Sequence, residues 1–294
     1  MKQWQEYHLL SRIRSFFWAI PALIWQILLL YIPLVFVLMR SFVDKESHFT
    51  LSYYVELFDA THFIILLRSL ALAATTAIIC LIIAYPVAYF LSMYMSRFKN
   101  VLLFFLIIPF WTSLLVQLYA WFSILDKHGF LNIILQKLGI ISQPYHVLNT
   151  PFAVYLVSIY CYIPFMIMPI YSILEKLDMR LREASLDLGA TRWETFRRVT
   201  VPLSMPGIKT GFFLVFIPAF GEFVIPILLG GGKQLYVGSL ITHYFLVSRS
   251  SGLGAAFTWL SSVILIIATV IMHWLFVRVV TPRKTRRAMY EPTK

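Results

Sequence analysis

The chain has 294 residues, of which 60% are hydrophobic and 13% charged, with a net charge of +12. A soluble domain averages about 45–50% apolar and about 25% charged residues, so this composition excludes a sizeable soluble domain and predicts an all-α integral membrane protein. In such a chain the positive excess reads as Lys and Arg collected in cytoplasmic loops, and nucleic acid is not an expected partner.

The N-terminal stretch MKQWQEYHLLSRIRSFFWAIPALIWQ is basic and then apolar. Its apolar part runs on to Met39, longer than a signal-peptide core, with no small-residue cleavage site. Residues 1–16 therefore read as a cytoplasmic segment ahead of a retained span. Six apolar segments follow in order: Phe17–Met39, Ser69–Met93, Val101–Leu125, Pro151–Leu174, Thr210–Leu229 and Ala255–Val277. Each can cross the ~30 Å of a bilayer core as a transmembrane helix with some tilt. Residues 17–277 make one six-span domain, and residues 278–294 form a basic tail. Pro33, Pro86, Pro109, Pro164 and Pro169 fall within spans and should kink them.

The connections differ in character. Residues 41–60 carry Asp44, Glu46, Glu56 and Asp59. The loop 126–150 contains FLNIILQKLGI, which suits a short helix lying at the membrane surface. Cys80 and Cys161 sit inside apolar runs without metal or disulfide spacing, and read as packing residues. His273 in the last span reads as a helix-packing residue. GGGK at 230–233 is not a phosphate-binding loop: Ile227 holds the first glycine position and Gln234 the Ser/Thr position.

Positive charge sets direction. The N-terminus, the second-to-third loop, the fourth-to-fifth loop and the C-terminus hold 17 Lys and Arg, and the remaining loops hold seven. Both termini are expected in the cytoplasm, and so is the fourth-to-fifth loop.

That loop, about 178–206, is charged and patterned. Leu177, Leu181, Ala184 and Leu188 recur at helical spacing. Asp178 is placed to cap the helix start and Gly189 to end it. Thr191-Arg192-Trp193-Glu194 has the capping-box pattern and predicts a second short helix. Pro202 and Pro206 restrict the backbone beyond it. A helix, a glycine turn and a helix make a knob that fits a socket on a soluble partner.

Residues 183–202, EASLDLGATRWETFRRVTVP, resemble the EAA loop of bacterial ATP-binding cassette (ABC) importer permeases, written E-A-A-x3-G-x9-I-x-L-P. Glu183, Ala184, Gly189 and Pro202 match. Ser185 stands for the second Ala, Val199 for Ile and Val201 for Leu. IIPFWTSLLVQLYAW (107–121), YIPFMIMPIYSILEKLD (162–178) and PAFGEFVIPILLGGG (218–232) are similar to the spermidine/putrescine branch of these permeases. The resemblance implies a type I permease fold, in a bacterial plasma membrane, with six spans and cytoplasmic coupling helices. It implies that Glu183, Ala184, Asp187, Gly189, Arg192 and Pro202 meet the ATPase. It also implies a second homologous permease, two ATPase subunits and an extracytoplasmic binding protein as partners. ATP would be bound by the partner ATPase, leaving this chain without a cofactor, catalytic residues or a metal.

Glu222 is the acidic residue inside an apolar segment. A carboxylate there costs about 2.5–3.5 kcal/mol on insertion scales and is by default a functional group. A cationic cargo would neutralise it, whereas a neighbouring helix could instead hold it structurally. Pro218, Gly221 and Pro226 flank it and can break the helix beside a cavity. Trp111, Tyr119 and Trp121 could offer ring faces to an ammonium group, or form an interfacial belt. Gln117 is a polar candidate on the same segment. Iron, thiosulfate or another small solute remains an alternative cargo. An ion-driven secondary transporter would leave the hairpin unexplained, and a membrane enzyme would need an acid or histidine cluster.

Overall fold

The computed structural model describes residues 20–44, 48–94 and 98–280, with Phe110, Val279 and Val280 as backbone only. The N-terminal segment, residues 281–294 of the basic tail, Lys45, Glu46 and Arg97 lie outside the described residues, and residues 278–280 continue the last helix. The helices are α1 (Ile20–Ser41), α2 (Ser52–Leu57), α3 (Ala60–Met93), α4 (Lys99–Trp111), α5 (Leu114–Leu125), α6 (Phe130–Lys137), α7 (Pro151–Glu175), α8 (Met179–Asp187), α9 (Arg192–Phe220), α10 (Val224–Leu229), α11 (Val237–Thr242) and α12 (Ser251–Val280). Among the described residues, the strand-like pairing is one isolated bridge, Val43 to Phe49. Among the described residues, five helices (α1, α3, α7, α9 and α12) are long and apolar enough to cross a membrane, and the bent pair Lys99–Pro109 and Leu114–Lys137 brings the number to six where it is counted as one span.

Two expected spans are broken. Val101–Leu125, read as one helix, is α4 and α5, bent by 88°. Pro109 offers no N–H to the helix ladder, and Thr112 turns extended (φ −90°, ψ 147°). The segment Thr210–Leu229 is shifted as well as broken. Its helix α9 starts at Arg192 and stops at Phe220, and α10 resumes at Val224. The second helix of the hairpin is thus no separate short helix but the first turns of this span. A π turn over Phe196–Thr200, closed by the Val201 N–H on the Phe196 carbonyl, leads into Pro202.

The chain divides into two compact units. The first combines the residues up to Asp59 with His243–Leu260. Within it the Tyr54 hydroxyl donates to Ser41 Oγ and the Tyr53 hydroxyl to Asp44 Oδ1, each at 2.9 Å. Phe42 and Phe49 stack at 5.7 Å, and Gly252 lies flat against the Tyr53 ring.

The second unit combines Ala60–Thr242 with the residues from Ser261 onward. At its centre α3, α7 and α9 pack against one another. The face of α3 there is a row of small residues, Ala73, Ala77, Cys80, Ala84 and Ala88, all fully buried. Small side chains let helix backbones approach where lipid gives no hydrophobic drive. On α9, Gly207 and Gly211 do the same: a Cβ on Gly207 would stand 2.7 Å from the Pro169 carbonyl oxygen of α7. Toward one end, Leu118 and Leu125 of α5 join Val154 and Val157 of α7 and Ile225 and Leu229 of α10 in a buried cluster. His273 of α12 stacks on Phe213 at 6.3 Å.

Candidate functional site: a docking hairpin and an acidic cavity

The hairpin is built as its sequence demands. The Asp178 carboxylate accepts from the Arg180 N–H at 3.0 Å and starts α8. Gly189 then turns the chain at φ +85°, a left-handed conformation that a side chain resists. Thr191 and Glu194 form a reciprocal capping box at the start of α9. Ser185 and Thr195 hydroxyls lie 3.0 Å apart and tie the two helices together.

The hairpin is also anchored to α3. The Arg182 guanidinium donates to the Tyr89 hydroxyl at 3.3 Å and reaches Met93 Sδ at 3.1 Å. Phe196 stands edge-on to Tyr89 and Tyr85, with centroids 5.4 and 5.8 Å away. The Tyr85 hydroxyl meets Ser204 Oγ at 3.0 Å. The outer face is bare. Glu183, Ala184, Asp187, Gly189, Arg192 and Pro202 are exposed. So are the apolar ends Leu188 (89%) and Trp193 (67%). Exposed leucine and tryptophan at the tip of a helical corner make this tip a candidate docking surface.

The second feature is a cavity of about 330 Å³ lined by both helix breaks and by α7. Glu222 lies in the gap between α9 and α10, not inside a helix as its place in an apolar segment implied. Its Oε1 accepts the N–H groups of Phe223 (3.0 Å), Val224 (2.9 Å) and Ile225 (3.4 Å). A carboxylate there complements the positive end of α10. Its Oε2 accepts the Tyr162 hydroxyl at 2.8 Å. So the carboxylate is both a structural cap and part of the cavity wall.

Gln117 shares that wall, on the first turns of α5. Its amide nitrogen donates to the Pro109 carbonyl and to Thr112 Oγ1, across the break between α4 and α5. Trp121 is half-buried and sits edge-on at 5.2 Å behind Tyr160, itself a wall residue. Trp111 and Tyr119 are exposed and stand off this wall, with Trp111 against Phe104 at 6.0 Å. Sequence reasoning did not single out Tyr160, Tyr162 or Phe165, which also line it. Their signal is the run YCYIPF in the middle of α7, two tyrosines at a depth where hydroxyls need partners.

The family model for the binding-protein-dependent transport system inner membrane component matches residues 81–281. The chain is 42% identical over 238 residues to the spermidine/putrescine transport system permease protein PotB of Haemophilus influenzae, covering 79% of this chain and 83% of that one. It is 39% identical over 256 residues to PotB of Escherichia coli K12, covering 85% and 93%. A solved bacterial alginate ABC transporter, in complex with an alginate pentasaccharide-bound periplasmic protein, has a chain of the same fold. The TM-score is 0.76 at 16% identity, over 94% of this chain and 98% of that one.

Proposed function

The chain belongs to the family of binding-protein-dependent transport system inner membrane components, and we propose that it conducts polyamines such as spermidine and putrescine into the cytoplasm. The observation that carries the cargo is Glu222, a carboxylate on the wall of a cavity between two broken spans. Discontinuous helices at membrane depth place backbone and charge beside a pathway. A cavity of about 330 Å³ suits a small solute rather than a polymer. The names of the relatives, spermidine/putrescine permeases at 39% and 42% identity, point the same way.

In this reading the chain sits in a bacterial inner membrane with both termini in the cytoplasm, where its excess of Lys and Arg belongs. A second homologous permease completes the pathway, and an extracytoplasmic binding protein delivers the cargo. Two ATPase subunits bind and hydrolyse ATP, and this chain itself is a transport subunit. The hairpin 178–206 docks on one ATPase through its exposed tip. When ATP closes the ATPase pair, the hairpin moves with it and pulls α3 and α9 toward the alternate opening. The segment 1–16, the domain 17–277 and the tail 278–294 keep the roles given them by the charge pattern.

The test is uptake of radiolabelled spermidine by proteoliposomes holding the assembled transporter, its binding protein and ATP. Spermidine accumulation that needs ATP supports the reading. ATP-driven uptake of ferric iron or thiosulfate in its place overturns the cargo.

A further inference from the structure

The cavity wall is chemically one-sided. The Tyr162 hydroxyl spends its proton on Glu222 Oε2. The Thr112 hydroxyl spends its proton on the Pro109 carbonyl at 2.8 Å. The Gln117 amide spends its NH2 on Pro109 and Thr112. The orientation of that amide is fixed by chemistry, because a proline carbonyl can only accept. Gln117 therefore keeps Oε1, an acceptor, for the cavity. The carboxylate of Glu222 is acceptor-only when ionised. Of the other wall residues, Tyr160 has a hydroxyl that accepts as readily as it donates, and Cys161 has a weak thiol.

We infer that this wall is a filter for cargo that donates hydrogen bonds and carries no carboxylate: an alkylammonium passes, and an amino acid of the same length is refused. This rests on the polyamine reading above and adds a selectivity step inside the membrane, beyond that of the binding protein. An ammonium group brings three donors and no acceptor, so it matches a wall on which the donors of Tyr162, Thr112 and Gln117 are already used. A carboxylate on the cargo meets Glu222 as a like charge, and among the wall side chains the Tyr160 hydroxyl and the weak Cys161 thiol are the donors left for it. Specificity of this kind comes from what the site repels as much as from what it holds. The opposing feature is the amino end of α5, which has no side-chain cap and opens at Leu114 on the same cavity. Its free N–H groups favour an anion. Gln117 bridges that end to Pro109, and the experiment decides which wins.

The measurement is equilibrium binding of radiolabelled spermidine to the assembled transporter in lipid nanodiscs, without binding protein. Unlabelled putrescine, ornithine, which is putrescine with a carboxylate added, and succinate are the competitors. The expectation is saturable spermidine binding, with ornithine competing more weakly than putrescine by about tenfold or more, the scale of one lost charged hydrogen bond, and succinate without effect. Gln117→Leu is expected to weaken spermidine by roughly threefold to tenfold. The competitor series on the unaltered protein stands whether or not that variant assembles. Equal competition by ornithine, displacement by succinate, or no saturable binding of either spermidine or agmatine overturns the filter. The two readings fail separately. If spermidine is imported while ornithine competes equally, the filter falls and the polyamine function stands. If agmatine binds while spermidine is neither bound nor imported, the filter stands and the cargo falls.

Discussion

Phe196 stands edge-on to Tyr89 with their ring centroids 5.4 Å apart and their planes at 85°. One ring belongs to the first turns of α9 and the other to α3, so the contact joins the hairpin to a helix of the central packing. Arg182 bonds the Tyr89 hydroxyl and Tyr85 also meets the Phe196 ring, so the hairpin is tied to α3 at several points. If the tip docks on an ATPase as proposed, a force on it is expected to reach α3 and α9 together.

That contact can be tested directly. Phe196→Ala removes two edge-to-face contacts, each worth about 0.5–1.5 kcal/mol beyond area burial. The protein should still insert, because the central helices pack without that ring. Uptake per ATP hydrolysed should fall several-fold in proteoliposomes. An unchanged ratio would show that force reaches the spans by another route.

The tip makes a second prediction. Nothing lies within 4 Å of a Cβ at Gly189, so a larger residue meets no neighbour there. The obstacle is the backbone at φ +85°, where a left-handed residue with a side chain costs about 1–2 kcal/mol and a β-branched one more. Gly189→Val is expected to leave membrane abundance intact and to turn the second arm away from the first, which lowers ATPase recovery in affinity purification. Glu183→Lys reverses a charge on the same exposed face and should have the same effect without strain. Normal recovery and normal uptake in both variants would remove the hairpin from the docking surface.

The caps and the glycine turn of the hairpin were legible in the sequence, because they are local chemistry, whereas its second arm, predicted as a short helix, runs on unbroken to Phe220. Asp178, Gly189, Thr191 and Glu194 needed no long-range contact to be read. The spans were legible as lengths of hydrocarbon, and their breaks were only half so. Pro218 and Gly221 flagged the gap at Glu222, but Pro109 flagged only a kink where the chain turns by 88°. Apolar periodicity is nearly silent in a helix whose every face is greasy, so α9 was placed from 210 rather than from 192. The cavity wall was less legible still. Gln117 stood out as a polar residue in an apolar run, whereas Tyr160, Tyr162 and Phe165 are ordinary in a chain with 17% aromatic residues. What distinguishes Tyr162 is a partner 60 residues away.

Close helix approach gives a third prediction. Gly207 and Gly211 are four residues apart on α9 and face Pro169 and Met166 of α7. A leucine at 207 would drive its Cβ to 2.7 Å from a backbone oxygen, which no rotamer relieves. Overpacking of this kind costs about 1–3 kcal/mol. Gly207→Leu should lower the midpoint of thermal unfolding in detergent by several degrees, and Gly207→Ala by less. Equal midpoints for all three proteins would mean that α7 and α9 are not held at this distance.

Glu222 carries the last prediction, because its two roles respond differently to one substitution. In Glu222→Gln the amide oxygen can still accept the N–H groups of Phe223, Val224 and Ile225. The amide nitrogen then faces Tyr162, whose hydroxyl can turn and accept in place of donating. The cap and the bridge to α7 therefore survive in kind, and the negative charge is lost. If that charge neutralises a passing ammonium, spermidine uptake should fall by about tenfold, equivalent to ~1.4 kcal/mol. Protein level, ATPase association and basal ATP hydrolysis should hold. If the carboxylate serves only as a cap, charge-assisted bonds to N–H groups become neutral ones, at roughly half the strength. Thermal stability and membrane abundance would then drop together with uptake. Uptake normalised to protein in the membrane separates these cases. A wild-type normalised rate would take Glu222 out of the pathway, and the cationic cargo would rest on family resemblance alone.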